Sequence, residues 1–240
     1  KKFKRDKDKL LISYMGVGEP LLNIDLIKEV YKREDEIKKL GYTDISYALS
    51  TMMPNDNLLL LKDIVLEIKL PLKVHFSLHT PIDSDRNELI PSSRISINDA
   101  LNMLNIYRSK IQKDKIIMNN YIKFHKTNDP VEIHYTLIKN VNDKENELSE
   151  LIKLLKKYRI TIKFIRFNPT NALERSLNEE KWINRIKDDV KGLRVKVYSP
   201  PGREVGSSCG EFTKHYYHYE IETDNERKEF ELWKDKHMIK

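Results

Sequence analysis

Residues 10–23 read LLISYMGVGEPLLN, and this stretch sets a pattern that the rest of the chain repeats. The apolar run 10–15 predicts a strand, and two closely spaced glycines, Gly16 and Gly18, predict a tight loop directly after it. Polar cap residues follow, and apolar residues then keep helical spacing as far as Gly41, a typical residue just past the end of a helix. The stretch therefore predicts a strand, a loop built for close backbone approach, and a helix.

The same alternation of strands and helices runs through the remaining sequence. Further strands are predicted at 45–49, 74–78, 133–138, 160–167 and 193–198, and further helices at 58–68, 97–111, 145–158 and 179–190. The polar stretch 112–130 receives no assignment. Strands that alternate with helices form a parallel sheet. Six such strands fit an open or partial (β/α) barrel or a doubly wound sheet, and both folds gather ligands at the carboxyl ends of their strands.

Composition narrows the class of protein. The 240 residues carry 44 Lys+Arg against 37 Asp+Glu, a net charge of +7, which favours an anionic partner such as nucleic acid or simply reflects a lysine-rich surface. No apolar run is long enough to cross a membrane, and no signal-peptide core is predicted. The single cysteine excludes an internal disulfide framework and a metal cluster held by thiolates of this chain alone, and it favours the reducing cytoplasm. We expect one α/β domain, 1–215, and a polar, aromatic tail, 216–240.

Chemically distinctive residues follow the predicted strands. Glu19 comes directly after the first strand, where a carboxylate either binds an ammonium group or stays solvated. His75 and His79 lie on one face of a predicted strand, but a hydroxyl and an imidazole, Ser77 and His79, that contact a polar ligand are favoured over a zinc pair. No metal site is predicted.

Cys209 lies in a loop of small residues late in the chain. The loop 202–210 and the loop at Gly16 and Gly18 together hold five of the seven glycines. Glycine next to the thiol favours exposure, and the nearby Arg203 would lower the thiol pKa. A reactive thiol and a buried filler both stay open on these residues alone.

An ordered set of motifs resembles one family closely. The set comprises 14–23 (YMGVGEPLLN), 49–51 (LST), 76–81 (FSLHTP), 85–91 (DRNELIP), 135–143, 167–169 (FNP) and Cys209-Gly210. It resembles the radical S-adenosylmethionine (SAM) RNA methyltransferases of the RlmN/Cfr type over residues from about 10 to 212. Those enzymes methylate a ring carbon of adenine in ribosomal or transfer RNA. The resemblance implies a partial (β/α) barrel of the radical SAM type.

The resemblance also implies roles for individual residues. It assigns SAM binding to Gly18, Glu19, Ser50, Ser77, Leu78, His79 and Asn168. Glu19 would hold the methionine ammonium group, the hydroxyls would hold the carboxylate and ribose, and Asn168 the nucleoside. Cys209 matches the cysteine that carries the methyl group. The resemblance further implies an RNA substrate, an electron donor such as flavodoxin, and a monomer.

Departures from the family leave three hypotheses open. The family holds a four-iron–four-sulfur cluster on a Cys-x3-Cys-x2-Cys loop before the strand at 10–15, and this chain lacks those cysteines. We therefore expect the first βα unit to be missing, and a cluster only with an upstream segment. Near Cys209, residues 203–208 replace an acidic segment of the family. The hypotheses are the barrel of an RNA methyltransferase, a degenerate homologue that binds SAM or RNA without catalysis, and a radical SAM enzyme with a different substrate.

Overall fold

A computed structural model describes residues 9–15, 18–92, 95–169 and 173–200. Its strands are β1 (Lys9–Tyr14), β2 (Asp44–Thr51), β3 (Leu72–Ser77), β4 (Val131–Tyr135), β5 (Ile162–Ile165) and β6 (Val195–Tyr198). Its helices are α1 (Ile24–Lys32), α2 (Glu34–Lys39), α3 (Asn57–Ile68), α4 (Asp83–Leu89), α5 (Ile97–Lys113), α6 (Lys115–His125), α7 (Glu145–Tyr158) and α8 (Glu179–Asp189). A single turn of 3-10 helix, Pro20–Leu22, precedes α1.

The six strands form one parallel sheet in the order β1-β2-β3-β4-β5-β6. Each strand pairs with the next strand of the chain, and every pair is parallel. A doubly wound sheet reverses its winding at a switch point, whereas sequential order is that of a barrel. The predicted α/β fold is confirmed, and the sequential order selects the open barrel over the doubly wound sheet. All carboxyl ends lie at one edge of the sheet, called here the mouth.

Successive side chains along each strand alternate between the two faces of the sheet. Val74 and Val131 are paired across β3 and β4, are fully buried and belong to the apolar core with the helices. The next pair in register, His75 and Glu132, faces the other way because successive strand residues point to opposite faces. This second face, called the inner face, is polar.

Three elements differ from the sequence-based expectation: one predicted helix is divided, and helices α4 and α6 were not predicted. The helix expected to run up to Gly41 is divided at Arg33, which has φ −90° and ψ 13°, into α1 and α2. Helix α6 occupies the stretch that received no assignment. The side chain of Asp114 caps α6 by accepting hydrogen bonds from two backbone N–H groups of its first turn. His125 at the end of α6 lies 2.7 Å from the Ser46 hydroxyl, which fixes the helix beside β2.

Three helices end in a left-handed residue other than glycine. Lys69, Lys126 and Arg159 follow α3, α6 and α7 with φ values of 63°, 55° and 53°. The Lys69 ammonium pairs with Asp114, and the Arg159 guanidinium donates to the carbonyl of Lys191 at 2.9 Å. A cation at a helix C-terminus also interacts favourably with the helix dipole.

The strands of the described residues belong to one sheet, and nearly all of the buried apolar side chains form one core cluster. None of the helices in the described ranges is long and apolar enough to cross a membrane. The predicted tail, 216–240, and Cys209 lie outside the described residues. The extent of the domain toward residue 215 therefore stays a prediction.

Candidate functional site

The loop after β1 is tied to the end of β2 by one carboxylate. Gly18 has φ +75°, a conformation that favours glycine, and it places Glu19 beside β2. The Glu19 carboxylate accepts hydrogen bonds from the Thr51 hydroxyl at 2.7 Å, the Met52 N–H at 2.9 Å and the Leu21 N–H at 3.0 Å. A carboxylate has about four acceptor sites. Three are used within the chain, so Glu19 organises the mouth and keeps limited capacity for a ligand.

Two serines meet at the ends of β2 and β3. The hydroxyl oxygens of Ser50 and Ser77 are 3.4 Å apart, and both side chains are partly exposed. Leu78, the next residue, is fully buried and donates its N–H to the His134 carbonyl at 3.1 Å. The structure therefore brings the two predicted serines together, whereas Leu78 contributes backbone and packing.

His79 is held in one tautomer. Its backbone is left-handed, with φ +58°, and its Nδ1 accepts a hydrogen bond from the Thr136 N–H at 3.1 Å. Burial, together with the neighbouring His134 and Arg86, lowers the pKa of His79 to about 4. The ring is neutral near pH 7, and its proton lies on Nε2 because Nδ1 is an acceptor. His79 can therefore donate one hydrogen bond to a ligand.

A buried arginine, absent from the predicted site, joins the ends of two strands. Arg86 of α4 is 1% exposed. It donates to the carbonyls of Met52 at 2.7 Å, Ser77 at 3.1 Å and Leu78 at 3.2 Å. Its guanidinium carbon lies 5.1 Å from the centre of the Phe76 ring. The motif 85–91 contains this residue, but a sequence does not show that an arginine is buried.

Asn142 was also absent from the predicted site. Its side-chain amide donates to the carbonyls of His79 at 2.5 Å and Thr136 at 2.8 Å. Its amide oxygen accepts from the Ile138 N–H at 2.7 Å. Asn142 therefore fixes the loop after β4 against the loop after β3.

Two predicted site residues remain: the structure describes Asn168 but not Cys209. Asn168 follows β5, is 6% exposed, and lies at the same edge of the sheet as the serines. Arg166 lies between β5 and Asn168 and pairs with Glu179 of α8 at 3.1 Å. Cys209 and the whole loop 202–210 fall outside the described residues.

The sequence is similar to curated proteins over most of its length. A probable dual-specificity RNA methyltransferase RlmN from Thermotoga petrophila is 30% identical over 213 residues, which cover 87% of this chain and 56% of that protein. A protein of the same name from Clostridioides difficile is 28% identical over 207 residues, 84% of this chain and 54% of that protein. The chain resembles RlmN.

The resemblance expected from the motifs is thereby confirmed over most of the chain. The chain spans about half the length of the curated relatives it matches. A radical SAM methyltransferase from Sphaerobacter thermophilus has a similar structure, with a TM-score of 0.61 and 23% identity over 83% of this chain and 54% of that one. This likeness confirms the fold. No family model matches the sequence.

A second polar group, on the inner face, lies outside the motifs that resemble RlmN. His75 of β3 contacts His134 of β4, with 2.6 Å between Nδ1 and Nε2. One oxygen of Glu132 lies 3.5 Å and 3.3 Å from the same two nitrogens. Burial lowers the pKa of His75 to about 3 and also lowers the pKa of His134, so both rings are neutral near pH 7.

Glu132 is the centre of this group. Its side chain is 1% exposed, and it pairs with Lys163 at 2.7 Å, with Lys73 at 3.3 Å and with Lys196. Burial opposes ionisation, but hydrogen bonds from His134 and His75 and the Lys73 charge outweigh it. They hold the pKa of Glu132 well below its usual range. The six residues, called the Glu132 cluster, come from four adjacent strands: Lys73, His75, Glu132, His134, Lys163 and Lys196.

Proposed function

We propose that this chain is the SAM-binding barrel of a radical SAM methyltransferase that acts on an adenine carbon of ribosomal or transfer RNA. The observation that carries the proposal is the meeting of the Ser50 and Ser77 hydroxyls at the mouth, beside the loop of Glu19. Similarity to proteins named RlmN over most of the chain supports it. An electron donor such as flavodoxin, a monomeric state and a cytoplasmic location belong to the same proposal.

The donor set at the mouth fits SAM. Ser50 and Ser77 offer hydroxyls to a carboxylate or a ribose, and the neutral His79 offers an N–H. Glu19 has acceptor capacity left for an ammonium group. Gly18 allows close approach of the backbone, since nothing lies within 4 Å of the position its Cβ would take. Bound SAM supplies an activated methyl group, and these residues would orient it toward the mouth.

The chain does not fit an iron–sulfur cluster. Such clusters are held by several cysteine thiolates, and this sequence contains one cysteine. No catalytic step through a cluster is therefore assigned to these residues. Cys209 is proposed as the methyl carrier because a thiolate is a strong nucleophile near neutral pH.

RNA binding at the mouth is supported by two arginines. Arg166 and Arg175 border a cavity of about 470 Å³ between the first turns of α8 and Val197 of β6. Their side chains are 42% and 32% exposed, and both pair with Glu179. Guanidinium groups suit phosphate recognition because their donors match its oxygens.

A second candidate function is SAM or RNA binding without catalysis, which is favoured by the replacement of the family's acidic segment at residues 203–208. This candidate predicts the same SAM contacts at the mouth. It differs in predicting that Cys209 never carries a methyl group. Mass spectrometry of the peptide that contains Cys209, from cells making the complete gene product, separates the two candidates.

SAM binding tests the proposal directly. Titration calorimetry of the chain with SAM should show one site, and Ser50→Ala and Ser77→Ala should each weaken it by about tenfold, the loss of one hydrogen bond. Ser149→Ala is the matched control, because that hydroxyl bonds a carbonyl within α7. Absence of SAM binding, or equal affinity in all three variants, would contradict the assignment.

RNA binding needs its own measurement. Affinity for a transfer RNA should fall steeply between low and moderate salt, because phosphate contacts release counterions. Arg166→Gln should reduce both the affinity and the slope, whereas Arg185→Gln, a surface arginine of α8 paired with Asp189, should change neither. A flat salt dependence would remove RNA from the proposal and leave SAM binding untouched.

A further inference from the structure

The Glu132 cluster carries more positive than negative charge. Within the part of the chain that the structure describes, Lys73, Lys163 and Lys196 form their ion pairs with the single carboxylate of Glu132. With His75 and His134 neutral, three ammonium groups face one carboxylate, an excess of two positive charges. Charged side chains are rarely buried unless they are paired. The excess therefore calls for a counter-charge.

The three ammonium groups converge on one place. Lys73, Lys163 and Lys196 come from β3, β5 and β6, and each reaches an oxygen of Glu132 on the β4 strand between them. Their side chains are 11%, 20% and 26% exposed, so access increases toward β6, the last strand of the sheet within the described residues. Burial and the charges of Lys196 and Lys163 outweigh the attraction of Glu132 and lower the pKa of Lys73 to about 8.

We propose that the inner face binds a small oxyanion, a phosphate group, against Lys73, Lys163 and Lys196. The anion approaches from the β6 side, where Tyr198 lies with its ring centre 5.8 Å from the Lys163 ammonium. A phosphate with two negative charges balances the excess, and the ammonium groups provide charge-assisted donors. The site lies on the same face as Ser77 but deeper in the barrel, since His75 precedes Ser77 by two residues of β3. It does not depend on the proposed methyltransferase function.

A metal ion is the main alternative, because two histidines and a carboxylate converge. The three ligand atoms lie 2.6, 3.3 and 3.5 Å from one another, close enough to share one ion. However, the carboxylate oxygen that faces the histidines also binds Lys163 at 2.7 Å. A divalent cation would double the positive excess of the cluster, whereas a phosphate dianion cancels it. Charge therefore favours the anion.

Titration calorimetry of the full chain with inorganic phosphate at low ionic strength tests the site. Wild type should bind one phosphate, and Lys163→Gln and Lys196→Gln should each weaken binding by about tenfold, the loss of one charge-assisted hydrogen bond. Lys153→Gln is the matched control, because that lysine pairs with Glu150 on the surface of α7 and should leave affinity unchanged. Adenosine 5′-monophosphate in place of phosphate separates the sources: tighter binding indicates a nucleotide phosphate, and equal binding a free ion.

Glu132→Gln distinguishes an anion from a metal. Removal of the negative charge should tighten phosphate binding, whereas it would weaken a metal that Glu132 ligates. Lys196→Gln, on the more exposed strand β6, keeps the test valid if Glu132→Gln does not fold. The proposal is overturned if phosphate does not bind, if all three lysine variants bind it equally, or if Zn²⁺ binds to wild type and is lost in Glu132→Gln.

Discussion

Replacement of Arg86 by methionine should cost a large part of the stability of the barrel. The change removes the donors to three carbonyls at the ends of β2 and β3, those of Met52, Ser77 and Leu78. A buried carbonyl left without a donor costs about 1–3 kcal/mol. Because water can reach part of the mouth and the buried charge disappears with the side chain, we expect a net loss of about 3–5 kcal/mol. The total free energy of unfolding of a domain is about 5–15 kcal/mol, so this loss would be a large part of it.

Urea unfolding at pH 7, followed by circular dichroism, measures this loss. Arg108→Met is the matched control, because Arg108 also donates to two carbonyls, those of Tyr158 and Arg159, but lies at the surface. The control should lose less than about 1 kcal/mol. If the two variants unfold at the same urea concentration with the same slope, Arg86 does not hold the strand ends together and the reasoning fails.

Two further predictions concern titration and backbone conformation. Burial lowers the pKa of His75 to about 3 and that of His79 to about 4 in the folded protein, whereas a histidine of the unfolded chain has a pKa of about 6.5. Below pH 6.5 the unfolded chain therefore binds more protons than the folded protein does. Stability should therefore fall as the pH drops from 6.5, by about 2 kcal/mol per histidine at pH 5, and an unchanged urea midpoint between pH 7 and pH 5 would contradict this. Gly18→Ala should cost only backbone strain, about 1 kcal/mol, because nothing lies within 4 Å of the added Cβ, and Gly18→Asn should cost less. Thermal unfolding measures both variants, and a loss above about 3 kcal/mol would indicate a steric clash instead.

Periodicity predicted the sheet well because each strand carries its own pattern of buried residues. The six strands, their order along the chain and their parallel pairing agree with the structure. Helix α6 was missed because the stretch 112–130 is mostly polar, and its start depends on a cap by Asp114 that a pattern of apolar residues does not show. The break at Arg33 was missed because apolar spacing continues across it.

The candidate site was predictable where a motif fixes the backbone. Ser50 pairs in register with His75, and its hydroxyl reaches Ser77, which lies on the same face two residues further along β3. The Glu132 cluster was not predictable, because its members are scattered over more than a hundred residues and meet only through the register of four strands. His75 illustrates the difference: nothing in the sequence indicates His134 as its neighbour, and the two rings meet only because β3 and β4 are paired.

The left-handed helix ends have a consequence for engineering this protein. Glycine at such positions usually stabilises a protein, because it adopts positive φ without strain. At Lys69 and Arg159 that gain would be offset, since each side chain fastens its helix end to another helix or to the loop after one. The Lys126 side chain makes no such hydrogen bond or ion pair among the described residues. Of the three positions, Lys126 is therefore the one where glycine relieves strain without removing such a contact. In this chain, which has only seven glycines, the side chains of two left-handed residues also hold helix ends in place. Replacement of all three by glycine would therefore relieve strain at Lys126 but remove a stabilising contact at Lys69 and at Arg159.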